Sequence, residues 1–219
     1  MEARIPLTIR LFAVGIAPFF VNGVVNSFIW HKPLLYWSFE LSYWVALPIV
    51  VFALAMQRTG LGFADLGLHT TLGNRQQPWL LLLMCLLFSL VAYAVEGMTR
   101  GLAIEFIHSG GLFGYGQVMP ADPMLHRVVA IYFALTAAIV EELYFRGWLY
   151  RLCQRAGNPQ LLFVSVSTPL FALIHWENGP GDTLVAAVVG LFFALSYLEL
   201  KNLWPLITAH FIIDLINFS

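Results

Sequence analysis

Val140-Glu141-Glu142-Leu143-Tyr144-Phe145-Arg146-Gly147 places two adjacent carboxylates and a guanidinium inside a stretch that otherwise reads as membrane-spanning helix. A charged side chain near the centre of such a helix costs roughly 2.5–3.5 kcal/mol on insertion scales, so each of the three needs a partner, water or a chemical role. Glu142 and Arg146 stand four apart, which stacks them on one face in the favourable acid-before-base order, while Glu141 points about 100° away. The pair can neutralise itself. The other carboxylate must face something else.

The surroundings justify reading that stretch against lipid. The 219 residues are 60% hydrophobic and 11% charged, with mean hydropathy +0.80, against about 25% charged in an ordinary soluble domain. The chain is therefore expected to be an all-α, polytopic transmembrane bundle of about seven to eight spans, forming one domain over residues 1–219. Net charge is −1, and no basic surface suggests nucleic acid. Seven apolar stretches can cross a bilayer, roughly 7–30, 35–57, 78–97, 128–150, 160–176, 183–199 and 203–218. The first continues past the length of a signal peptide's apolar region and is expected to remain. His31-Lys32-Pro33 and Arg155-Ala156-Gly157-Asn158-Pro159 mark two of the breaks. Gly101 to Pro123 is too interrupted to span and reads as an interfacial or re-entrant piece.

The balance of Lys and Arg sets orientation. An N-terminus inside the cell puts Arg4, Arg10, Arg58, Arg75, Arg146, Arg151, Arg155 and Lys201 on the inner side against Lys32, Arg100 and Arg127 outside. The expectation is an integral protein of a bacterial or archaeal cell membrane with its N-terminus cytoplasmic. Cys85 and Cys153 make neither a disulfide framework nor a metal motif.

Two later spans carry further polar groups. Phe171-Ala172-Leu173-Ile174-His175 and His210-Phe211-Ile212-Ile213-Asp214 each place their end residues four apart, so three helices can aim polar faces at one internal cavity. That inventory suits acid–base hydrolysis: Glu141 activating a water, one histidine donating to a developing oxyanion, another holding the water, and Asp214 orienting His210. Glu141, His175 and His210 also form a possible zinc set. No HExxH occurs, and metal-free activation without a cofactor ranks first.

Taken singly, each motif has a plain structural reading: an ion-paired helix end, a core histidine, a pair within one helix. Glu96 with Arg100 reads as an exposed pair closing the third span, Glu105 as exposed, and His31, His69, His108 and His126 as solvated. The seven tryptophans fall mostly near span ends, as an aromatic belt would.

In combination the motifs are more specific. Glu141-Glu142-x-x-x-Arg146, then Phe171-x-x-x-His175, then His210-x-x-x-Asp214, on successive apolar stretches within a core of about 128–218, resemble the CAAX-processing and bacteriocin-processing (CPBP, or Abi) family of intramembrane proteases. The resemblance implies an intramembrane endopeptidase of glutamate type, less readily zinc-dependent, acting on membrane-anchored proteins or peptides: CAAX-type tails, leader segments or C-terminal sorting segments. It implies Glu141 as base, His175 and His210 completing the catalytic set, and Glu142, Arg146 and Phe171 in support. The family often has Asn where Asp214 stands, which changes the hydrogen bond available there. Two other readings stay open, a non-catalytic immunity or scaffold protein of the same family and a proton-coupled transporter.

Overall fold

The computed structural model describes residues 6–70, 78–107 and 110–219. Arg4, Arg75 and His108 lie outside the described residues. Seven helices follow one another among the rest: α1 Leu7–Ile29, α2 Pro33–Thr59, α3 Pro78–Phe106, α4 Pro123–Cys153, α5 Pro159–Leu173, α6 Pro180–Leu200 and α7 Trp204–Phe218. The bundle is all-α, as expected. Five of the helices are long and apolar enough to cross a membrane; α5 and α7 have fifteen residues each.

Proline sets most of the starts. Pro33, Pro78, Pro123, Pro159 and Pro180 each open a helix, where the missing N–H has no acceptor to lose and the fixed φ already suits the turn. The Asp122 carboxylate accepts from the amides of Met124 and Leu125 at the head of α4, and Asn158 accepts from Leu161 at the head of α5. Gly60 ends α2 in the left-handed region, at φ 69°.

α3 packs against α6 and α7, α7 against α4, α5 against α6, and α1 against α2. The densest part of the core surrounds the second half of α4, which turns as a π-helix over Leu143–Trp148. This wider turn buries Tyr144, Phe145, Arg146, Gly147 and Trp148 together. Tyr144 reaches across α1 to donate to the Pro48 carbonyl of α2 at 2.7 Å. It can do so because Gly15 has no side chain: a Cβ there would lie 2.2 Å from the phenol oxygen. Trp148 is 1% exposed and meets Phe12 and Phe52 edge-on, and Trp44 is 6% exposed. These two tryptophans belong to the interior and not to an interfacial belt.

Two further expectations are corrected. α3 continues to Phe106, so Gly101 lies within a helix. The rest of the interrupted segment folds back onto the bundle, with Phe113 4% exposed and Tyr115 against Phe133 and Phe218. Large side chains such as Leu34, Leu90, Met98, Ile104 and Met124 stay exposed on the outside, a surface suited to lipid.

Candidate active site

α4 delivers the two glutamates to different environments. Glu142 and Arg146 are each 0% exposed and joined at 3.0 Å, with Arg146 also donating to the Gly190 carbonyl of α6 at 3.4 Å. The guanidinium lies 4.0 Å from the centre of the Phe171 ring, a desolvated cation–π contact. Glu141, one residue earlier, faces instead into a cavity of about 340 Å³, and its Oε2 is buried without a hydrogen-bond partner. The π turn begins two residues later, at Leu143, and Ser167 of α5 donates to the Phe145 carbonyl within it at 2.9 Å. π turns of this kind concentrate at functional sites.

Phe171, His175, His210 and Asp214 line the same cavity. His175 is not on a helix. α5 ends at Leu173, and His175 follows in a turn at φ −106°, ψ 8° that leads into the 3₁₀ turn Trp176–Asn178. α5 stops short of His175, which reaches the cavity from beyond the helix end. The Nδ1 of His175 is 2.8 Å from the Phe171 carbonyl. A carbonyl only accepts, so Nδ1 carries the proton and Nε2 of the neutral ring keeps its lone pair. The turn is tied to α1: Trp176 Nε1 donates to the Phe20 carbonyl at 3.1 Å, and the Gly23 amide donates to Glu177 Oε1 at 3.2 Å. Gly23 permits this approach, since a Cβ there would fall 1.9 Å from Glu177 Cγ.

His210 is held at both nitrogens, Nδ1 at 2.9 Å from Glu142 Oε1 and Nε2 at 3.4 Å from Asp214 Oδ2. Thus Glu142 ties together Arg146 and His210. The donors do not fit zinc as arranged: both nitrogens of His210 face carboxylates, and among the described residues no group of three or more His, Cys, Asp or Glu side chains is disposed to hold a metal ion.

A comparison with known families covers the same part of the chain. Residues 123–216, from the start of α4 nearly to the end of α7, match the model of a family described as type II CAAX prenyl endopeptidase Rce1-like. Over these residues, fewer than half of the chain, the sequence is similar to that family. No curated protein and no solved structure matches the chain. The matched region contains Glu141, Glu142, Arg146, Phe171, His175, His210 and Asp214, and the cavity lined by Glu141, Phe171, His175, His210 and Asp214 is completed by residues that precede that region.

Several of those residues escaped the sequence. Glu96 and Arg100 are not an exposed pair closing a span. Glu96 is 4% exposed, Arg100 bridges it at 2.6 Å and Asp182 at 2.7 Å, and all three line the cavity. The reason is that α3 packs its far end against α6 and α7. His126 is not simply solvated either: its Nε2 meets the Phe218 carbonyl at 2.9 Å. Tyr115 accepts from Asn22 Nδ2 at 2.8 Å and lines the cavity from the segment before the Rce1-like region. Burial, followed by the carboxylates of Glu40, Glu141 and Glu177, raises the Tyr115 phenol well above its ordinary range, against the Asn22 hydrogen bond. Burial likewise raises the Glu177 carboxyl.

Proposed function

We propose that this integral membrane protein is an intramembrane endopeptidase of the glutamate type, and that Glu141 is its general base. The observation that carries the reading is the shared cavity: an acid with an unpartnered oxygen, an imidazole with a free Nε2 and a second imidazole fixed by two carboxylates all border one hollow inside an apolar bundle. The Rce1-like match supports a CAAX-type endopeptidase as the kind of enzyme.

The chemistry follows from the donor pattern. Glu141 takes a proton from a water that His175 Nε2 holds by accepting its second hydrogen. The water oxygen attacks the substrate carbonyl carbon, and the oxyanion takes a hydrogen bond from His210 Nε2–H, which swings only slightly from the long contact with Asp214. Collapse breaks the C–N bond as Glu141 returns its proton to the leaving amine. General acid–base help of this kind is worth about 10²–10⁴ in rate. Glu142, bonded to Arg146, accepts from Nδ1 of His210 and so fixes the orientation of the ring. Asp214 accepts from His210 where the family's usual Asn would offer an amide, so its role is to hold the ring between turnovers.

The substrates favoured by this reading are prenylated CAAX-type tails, with leader or C-terminal sorting segments as the alternative membrane-anchored peptides. The scaffold and proton-coupled transporter readings are not favoured by the family match. The N-terminus is proposed to lie inside the cell, which reporter fusions at the α2–α3 and α4–α5 connections would test. For the activity itself, purified protein in proteoliposomes is given a farnesylated CAAX-type peptide, with products identified by mass spectrometry. The expected result is one internal cut, resistant to chelators and lost in Glu141→Gln. Loss on chelation with recovery on added zinc would overturn the metal-free mechanism, and unchanged cleavage by Glu141→Gln would overturn the assignment of the base.

A further inference from the structure

The cavity has a second polar wall that the hydrolysis does not use. Among the described residues lining it are six acids, Glu40, Glu96, Glu141, Glu177, Asp182 and Asp214, against a single Lys or Arg, Arg100. Arg100 is already engaged by Glu96 and Asp182. Glu40 and Glu177 differ from these. They are 4% and 5% exposed, and Oε2 of each lacks a well-aligned hydrogen-bond partner, the Tyr132 hydroxyl being the donor that faces the Glu40 carboxyl. Trp44, four residues beyond Glu40 in the π turn Glu40–Ala46, also lines the cavity, with its ring buried and its Nε1 unpartnered.

Unsatisfied buried carboxyl oxygens are costly, and what satisfies them is a donor. A cation with several N–H groups serves two such oxygens at once, and an indole face attracts the same group. An apolar side chain would leave both oxygens stranded, and an acidic one would be repelled. Glu40, Trp44 and Glu177 line the same cavity as Glu141 and His175, so this wall borders the candidate catalytic set.

We propose that Glu40, Glu177 and Trp44 form a subsite that takes the ammonium or guanidinium of a basic substrate side chain close to the scissile bond. The proposal rests on the endopeptidase reading and adds a specificity to it. α2 carries two of the three residues, so selection for charge comes from the part of the chain outside the Rce1-like region.

The test is a set of farnesylated CAAX-type peptides in which each position flanking the cut, other than the farnesylated cysteine itself, is occupied in turn by lysine, arginine, norleucine, glutamine or glutamate. At one position lysine and arginine should raise kcat/KM over norleucine by roughly tenfold to a hundredfold, the worth of one hydrogen bond to a charged group, and glutamate should be the poorest. Glu40→Gln should lose that preference while cleaving the norleucine peptide at the wild-type rate. Equal cleavage of basic and neutral peptides at every position overturns the subsite, as does a preference that survives Glu40→Gln. Should that variant not fold, the wild-type comparison of lysine with norleucine decides alone. Failure to cleave any peptide removes the endopeptidase reading together with the subsite, whereas cleavage without preference removes the subsite only.

Discussion

Replacing Arg146 by methionine removes one side of an ion pair in which both partners are fully buried, and leaves Glu142 with His210 alone. The structure fixes what is lost: the 3.0 Å bond to Glu142, the 3.4 Å bond to the Gly190 carbonyl and the 4.0 Å stack on Phe171. Breaking a buried pair from one side costs about 3–5 kcal/mol because the remaining charge is stranded. Polar couplings between membrane helices are commonly smaller, up to about 1.7 kcal/mol, because the dispersed helices find other partners. Here Glu142 and Arg146 share one helix and have no solvent, so the larger range applies. Methionine fills most of the volume, and the cost is therefore electrostatic. Combining Arg146→Met with Glu142→Gln removes the stranded charge and should recover about 2 kcal/mol or more of that loss; glutamine still accepts from His210 Nδ1. The assay is reversible unfolding in mixed micelles of rising denaturing-detergent content, run on wild type, both single variants and the double. A cost for Arg146→Met below about 1 kcal/mol, the level of an exposed pair, or a double variant no better than the sum of the singles, refutes the reasoning.

Ser167→Ala strands the Phe145 carbonyl in the π turn and should destabilise the same unfolding by about 1–3 kcal/mol; an effect near zero would mean that the turn satisfies its own carbonyls. Gly23→Ala drives a Cβ into Glu177 and displaces the turn that carries His175, so cleavage should fall, with part of it restored by Glu177→Ala in the same chain; no rescue would locate the damage elsewhere. His175→Ala should lower kcat by about 10²-fold or more with little change in KM, since it touches the water and not the bound peptide, and an equal change in both would argue against that role. Because burial raises the Glu177 carboxyl from 4.5, folding takes up a proton between that value and the raised one. Stability from this group is present below the unfolded value and lost as pH rises through the folded one, so Glu177→Gln should flatten the decline seen in melting temperature over that window; an unaltered pH profile would count against it.

Much of this could be read from residue order, and the exceptions have physical causes. Helix positions were legible because each apolar run is closed by charge, glycine or proline, and the pairing of Glu142 with Arg146 follows from spacing alone. The end of α5 was not, since Ile174, His175 and Trp176 continue an apolar pattern although the chain leaves the helix after Leu173, ahead of Gly179 and Pro180. The fate of Glu96 and Arg100 depends on Asp182 and Asn217, which meet them only when α3 docks. Tyr115 and Asn22 are 93 residues apart, with no local pattern to link them. Glu40 did carry a signal. It is a carboxylate within the apolar run Leu34 to Val51, and the criterion that singles out Glu141 applies to it equally.

The brevity of α5 and α7 bears on the surrounding lipid. Fifteen residues at 1.5 Å each reach about 22 Å, well short of an average hydrocarbon core of about 30 Å. Where these two helices meet lipid, the acyl chains beside them compress or tilt to match their length, which brings the headgroup layer and its water closer to the bundle interior. Hydrophobic thickness thus becomes a rate variable for this protein: bilayers of shorter-chain lipid relieve the mismatch, and thick, sterol-stiffened ones oppose it.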